Sequence, residues 1–438
     1  MDVVRLTEEL IAIDSINPFE CRPPGVEGNS DWIVEGNEFA IAEYLETLLL
    51  ERNWQVQRQP VHRDSRGRIL HNLLAERGTG DRSILYYGHM DTVTAKPWPS
   101  RERALTPERL SIDVHGERVE AITGLGASDM KGGIAAMVTA LSDLQPADHR
   151  IKLALAVDEE FFSLGGNVLV ESSFLDDVHA CLVPEIDDGP NAGLGPSAIS
   201  LGRLGRCELE ISVPGTGGHG AEAGHGLLIS AARNAARIVE RIEALWDNFR
   251  DTFTFSVSAV PDVRAARSIE GSFYVSRIEA GDGTLSIPVY GTVRVSCSYT
   301  PSMTDRDVKA VFDNLMDEMV KDGSLQIPRR DGSLLPVSVV FASRPTPGGP
   351  AFATSEDHPF TSLVRDSVQR VAGFRAYTMG YSVADENVIH RNRPGLPILN
   401  VCPRGGNFHR EGEWVGVKSL HQLVEIYRDV GERFSEPG

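Results

Sequence analysis

The sequence predicts an α/β protein: a mixed sheet flanked by helices, interrupted by a smaller inserted α+β domain. Three observations predict it. The chain has 438 residues, more than one hydrophobic core ordinarily organises. Up to Leu201 it alternates apolar strand-like runs with helical periodicity, the pattern of helices packed on a sheet. There it changes to period-two strands and long amphipathic helices, and after the Pro/Gly-rich stretch 344–352 it changes back. The division expected is 1–202 and 346–438 for the larger domain, with 203–345 inserted between them.

MDVVRLTEELIAIDSINP reads as an amphipathic helix stopping before Pro18. It lacks the basic flank and cleavage site of a signal peptide, so a cytoplasmic location is expected. Phe39, Ala42, Leu45 and Leu49 recur at helical spacing and mark a helix over roughly 35–52. WQVQRQPV, NLLAERG and SILYYG read as strands, followed by a polar loop rich in Pro and Arg. GLGASDMKGG is a glycine-broken turn feeding a helix from about 130 to 144. KLALAVDEE and ACLVPEIDD are apolar strands that end abruptly in acid.

In the insertion, RCELEISVPG, FTFSVSAVPDV, GSFYVSRIEA and PVYGTVRVSCSYT read as strands. GLLISAARNAARIVERIEALW and TDRDVKAVFDNLMDEMVKDG read as helices, the second with Thr304 as its N-cap. The remainder runs helix, turn, the strand PILNVC and a last helix near 418–433.

A formal net charge of −19 disfavours binding to nucleic acid or an anionic membrane surface. No apolar run reaches membrane length. The five cysteines are scattered without a CxxC pair, which fits a reducing compartment and argues against thiolate metal ligands.

Histidines and acids sit where strands end. His89 and Asp91 follow SILYYG, and a spacing of two puts them on one side of an extended backbone. Asp91 can then orient His89 as carboxylates behind metal ligands do. Glu159 and Glu160 end one strand, Glu185 with Asp187 and Asp188 another, and His409 follows PILNVC; Asp129 sits at the glycine turn. In open α/β sheets the functional crevice lies beyond the carboxyl ends of the strands, so these segments converge. Two histidines and several carboxylates without cysteine suit zinc, manganese or cobalt. Burying so many carboxylates together is costly unless cations join them. GLGASD is no dinucleotide fingerprint, because Asp129 stands at its third glycine position and would repel a pyrophosphate.

The ordered set GHMDTV, GLGASDMKGG, VDEE, PEIDD, GGHGAEAGHG and HREGEW resembles the M20 family of binuclear metallopeptidases and amidohydrolases. That family includes aminoacylase, the succinyl-diaminopimelate and acetylornithine deacylases, carboxypeptidase G-type enzymes and peptidase T. The resemblance implies His89 as a ligand of the first metal, Asp91 as its support, and Asp129 as the carboxylate bridging two metals. It implies Glu159 as general base and Glu160 as a ligand of the second metal. Glu185 falls where the family places the remaining carboxylate of the first metal, with Asp187 and Asp188 as alternatives. His409, four residues before Glu413, matches the last ligand. His219 matches a histidine of the inserted domain that binds the oxyanion or a substrate carboxylate, often from the partner subunit; the alternative for His219 is a residue that fixes a turn. His225 is a turn or surface residue.

The cofactors implied are two divalent metal ions, zinc first, with manganese or cobalt as alternatives. Three carboxylate ligands leave one positive charge on such a pair, which a single hydroxide neutralises. Glu159 would take a proton from that water and pass it to the leaving nitrogen, while His219 donates to the developing oxyanion. The expected activity is hydrolysis of a C–N amide or peptide bond in a small-molecule or dipeptide-like substrate. The inserted domain serves as lid and homodimer contact, and no nucleic-acid or membrane partner is expected. Alternatives are an aminohydrolase of the same fold acting on a non-peptide C–N bond such as an aryl amine, and a non-catalytic binding protein that kept the fold. There are departures. The aspartate and arginine that usually precede the proline after the last inserted strand are replaced by Ser296, Cys297, Ser298, Tyr299 and Thr300, with Arg294 upstream. If that arginine holds a substrate carboxylate in the family, its absence here puts a free α-carboxylate on this substrate in question. GYSVADEN resembles a GxSDAN-like stretch of the peptidase T branch, with Asp385 and Asn387 in register.

Overall fold

A computed structural model describes residues 1–17, 38–63, 67–146, 148–186, 188, 192–225, 228–258, 268–281, 283–342 and 348–434. Its centre is Ser83–His89, a strand buried along its whole length. Arg150–Ala156 and Val178–Val183 flank it, both parallel to it. Parallel strands covered on both faces need continuous apolar sequence, which SILYY and IKLALA supply. Ile398–Asn400 extends the parallel set beyond Val178–Val183. Antiparallel strands close the sheet: Gln55–Arg63 and Ile69–Gly78 on one side, Ala198–Arg203 and Phe352–Ala353 on the other. With Ala376–Gly380 the sheet has 9 strands.

Gly132–Leu141, buried at every residue, packs against the amphipathic helices Val3–Ala12 and Val417–Arg433. Glu38–Leu50 packs on Ile69–Gly78. The predicted helix from about 130 begins later, at Gly132, because Asp129 and Met130 have non-helical dihedrals.

One expectation fails. The polar loop after SILYYG contains a hairpin, Glu108–Val114 and Glu117–Thr123, that pairs with Trp414–Gly416. Most of its side chains are exposed or half-buried, so no apolar run marked it.

A second core lies within the stretch Cys207 to Val339. Its sheet runs Ser272–Ala280, Tyr290–Tyr299, Gly205–Pro214, Ser338–Phe341, all antiparallel. Gly205–Pro214 alternates buried and half-buried residues, so one face packs beneath the helices Ala231–Phe249 and Asp305–Lys321. Thr304 caps the second helix by a reciprocal bond with Asp307, as its sequence predicts. FTFSVSAVPDV behaves differently: among its described residues, 253–258, the strand is Thr254–Ser256, and it pairs with Ser268–Glu270. Val257 and Ile269 join the larger core instead of the smaller one.

Candidate metal centre

Three parallel strands deliver their carboxyl ends to one edge of the sheet. His89 closes Ser83–His89; Asp158, Glu159 and Glu160 follow Arg150–Ala156; Glu185 follows Val178–Val183. His89 Nδ1 faces Asp91, at 3.1 Å from its carbonyl oxygen and 3.3 Å from Oδ1. That orients Nε2 toward Asp129 Oδ1 at 3.2 Å and Glu185 Oε2 at 3.4 Å. The other oxygen of Asp129 lies 3.0 Å from His409 Nε2, and the same imidazole nitrogen lies 3.3 Å from Glu160 Oε2. His89, Asp129 and Glu185 form one cluster and Asp129, Glu160 and His409 a second, each with donor atoms within 4.8 Å of one another. Asp129 belongs to both.

These residues fit a pair of divalent cations. Zinc bonds of about 2.0–2.1 Å in a tetrahedron put neighbouring donors about 3.3 Å apart, and the donor set is imidazole and carboxylate without thiolate. Glu160 Oε1 is buried and takes no hydrogen bond among the described residues. The charges agree. Burial and neighbouring Asp129 push Glu160 up to about 8. Burial, reinforced by Asp385, Glu185 and Glu160, holds Glu159 well above the usual carboxylate range. Burial opposes a proton on His409, yet hydrogen bonds to Asp129 and Glu160 raise it to about 11. His89 is raised by Asp129, Asp91 and Glu185 in the same way. Asp129 moves down despite burial because both imidazoles bond to it. The cluster thus draws in positive charge, which cations supply better than protons.

Supporting contacts reach further than spacing suggested. Asp91 also accepts the Glu159 and Glu160 N–H groups, each at 3.1 Å, so it orients the acidic turn as well as His89. Asn17 donates to Asp91 at 2.6 Å and to Asp158 at 2.9 Å, tying the segment that follows the first helix to this turn. Glu413 accepts the N–H groups of Gly126, Ser128 and Asp129. Neither Asn17 nor the role of Glu413 was visible in sequence; the H-x3-E spacing was the single hint.

Of the three candidates on PEIDD, Glu185 faces His89. Asp188 instead accepts the N–H groups of Tyr381 and Ser382, and Asp187 lies outside the described residues. A cavity of about 380 Å³ opens over the cluster, walled by Glu159, Phe161, Phe408, Val383 and Arg206. Arg206, unremarked in the sequence, pairs in register with Ser298 and donates to Ser296 at 3.2 Å. The small hydroxyls thus leave room for a guanidinium from the neighbouring strand. His219 does not line this cavity; it is exposed, bridges to Ser286 and accepts the Ala221 N–H at 3.2 Å.

The profile of "Peptidase family M20/M25/M40" matches residues 85–433. The chain belongs to this family. As an M20/M25/M40 member it is a metal-dependent hydrolase of amide or peptide bonds in small substrates, and an enzyme rather than a binding relic. It is 25% identical over 390 residues to the succinyl-diaminopimelate desuccinylase of Magnetococcus marinus, covering 86% of this chain and 90% of that one. It is 23% identical over 380 residues to the acetylornithine deacetylase of Proteus mirabilis, covering 86% and 83%. The fold matches that of the aminopeptidase PepT from Bacillus cereus with a TM-score of 0.66, 16% identity and coverage of 99% and 98%. Among the described residues of this M20/M25/M40 member, no helix is long and apolar enough to cross a membrane.

Proposed function

We propose that this protein is a two-cation amidohydrolase that cleaves an N-acyl amino acid or dipeptide. The observation that carries the reading is Asp129, whose two oxygens face two different imidazoles at 3.2 and 3.0 Å. His89, Asp129 and Glu185 would hold one cation and Asp129, Glu160 and His409 the other. When bound, such a pair supplies Lewis acidity toward the scissile carbonyl and lowers the pKa of water toward about 7. Glu159 lines the cavity without belonging to either cluster. Its carboxylate takes the proton from the attacking water and returns it to the leaving nitrogen, a task that suits a carboxyl held above the usual carboxylate range by burial. Asp91 fixes the imidazole of His89 and the turn that carries Glu159.

Arg206 is the basic side chain of the cavity wall apart from His409, and it receives the substrate's carboxylate. His219 is exposed on the smaller core, so its part in stabilising the oxyanion requires a second copy or closure of residues 203–345 as a lid. A homodimer through that region and a cytoplasmic location complete the reading. Zinc is the first choice of metal, with manganese or cobalt as alternatives. The test is metal analysis of the purified protein, followed by a hydrolysis screen of N-acyl amino acids, dipeptides and aromatic amines. Two cations per chain with turnover of the first two classes is expected. Protein that stays inert after reconstitution with zinc, manganese or cobalt would overturn the proposal, and turnover of aromatic amines alone would favour the aminohydrolase.

A further inference from the structure

Behind the carboxylates lies a charge that the proposed reaction does not use. Arg203 ends the strand Ala198–Arg203 and is 1% exposed. Burial opposes its charge, but Glu386, Glu185 and Asp188 keep it firmly protonated. Its Nε donates to Glu386 Oε1 at 2.9 Å and its Nη1 to Ser382 Oγ at 2.9 Å. Asn400 donates to the same Glu386 oxygen at 2.6 Å, so this carboxylate is held from two sides. Nη2 is different. It is buried, makes no hydrogen bond among the described residues, and lies 3.9 Å from Glu185 Oε1. The other oxygen of Glu185 is the one that faces His89.

The neighbouring strand is shaped around this guanidinium. A Cβ at Gly380 would lie 2.8 Å from Arg203 Nη1 and 3.2 Å from Cζ, so a side chain there would displace the ring of contacts. A buried guanidinium is costly unless its donors are matched. Here Nε and Nη1 are matched by Glu386 and Ser382, while Nη2 has Glu185 Oε1 as an ion-pair partner at 3.9 Å, an oxygen that also accepts the Ile186 N–H at 3.0 Å.

We infer that Arg203 is the positioning residue of Glu185: it holds one carboxylate oxygen from behind so that the other is presented to the cation of His89 and Asp129. The inference rests on the two-cation reading and adds an asymmetry to it. Glu160 differs: its Oε1 is buried without a bond among the described residues. Arg203 therefore acts on one cation of the pair. Its planar fork matters as well as its charge, since a lysine cannot bond Glu386 and reach Glu185 at once.

The test is stepwise cobalt binding by the chelator-stripped, full-length protein, followed by equilibrium dialysis and the cobalt absorption bands. The wild type should take two ions in resolvable steps. R203M should weaken one step by about 10–100-fold, the loss typical of groups that orient a ligand, and leave the other within about twofold. R203K, which keeps the charge and disturbs the fold less, should show a smaller loss at the same step. In an E185Q background R203M should cost nothing further, because the residue it acts through is gone. Equal weakening of both steps, unchanged binding in R203M and R203K, or the same cost with and without Glu185 would each overturn the inference. A wild type that takes no pair of ions would overturn the metal centre itself, and that outcome is distinct from the other three.

Discussion

Glu413 Oε1 accepts the backbone N–H of Asp129 at 3.0 Å across 284 residues of sequence. The same carboxyl also binds the N–H groups of Gly126 and Ser128. It therefore moulds the turn on which the shared Asp129 carboxylate stands. Glu413→Ala leaves three buried donors without an acceptor, at roughly 1–3 kcal/mol each. The variant should unfold at lower urea concentration and bind both cations more weakly. Denaturation curves and dialysis would check this; unchanged stability would mean the turn holds without Glu413.

Glu159→Gln tests the proton carrier. Burial and nearby carboxylates hold Glu159 well above the usual range, so a neutral amide of the same shape costs the fold little. Turnover should fall by about 10²–10⁴-fold, the range for a lost general base. Metal content and thermal stability should stay at wild-type values. Retained turnover in fully loaded protein would remove Glu159 from this role.

Arg206→Met should discriminate between substrates. A charge-assisted hydrogen bond is worth about 1.5–3 kcal/mol, so KM for an N-acyl amino acid should rise by about 10–100-fold. The corresponding neutral carboxamide should be unaffected. Equal effects on both would show that Arg206 shapes the cavity without binding the anion.

The pH dependence of the chelator-stripped protein follows from raised carboxyl groups. Burial pushes Glu413 and Asp385 up to about 7 and Glu160 up to about 8. A folded pKa above the unfolded value means stability that is full below about 4 and lost as pH rises through the folded value. Without cations, these acids should therefore lower the melting temperature from about pH 4 to about 8, the span between their unfolded and folded values. Saturating zinc should flatten or reverse that slope, because metal competes with protons for Glu160. His409, raised to about 11, adds to the fall from about pH 6.5 upward, because above that value its proton is kept in the folded state alone. A melting temperature that rises with pH in the stripped protein would contradict the burial of these acids.

His219 lies away from the cavity of its own chain, so a role in turnover across a dimer is testable by mixing. H219N and E159Q should each be nearly inactive. Refolded together, they should regain about a quarter of wild-type activity, since half the dimers are mixed and each mixed dimer has one complete site. No recovery in dimers of proven exchange would place His219 in a turn.

Much of the centre was legible because its signals are local. An apolar run ending in acid is a property of adjacent residues, and His89, Glu159, Glu160 and Glu185 each sit at such an end. Parallel pairing then carries them to one edge whatever the intervening sequence. The hairpin Glu108–Val114 and Glu117–Thr123 escaped notice because its largely exposed strands carry no apolar run.

What the order of residues settled by itself was the set of elements and the chemistry of their ends, since periodicity and side-chain type are read within a few residues. Folding alone decided which carboxyl of PEIDD faces the imidazole, that Asn17 and Glu413 brace the turns, and that Arg206 stands opposite Ser298. It also decided that a buried guanidinium stands behind Glu185. Those relations join strands and turns far apart in the chain, and their distances depend on sheet register and on the direction of each side chain. Periodicity encodes neither.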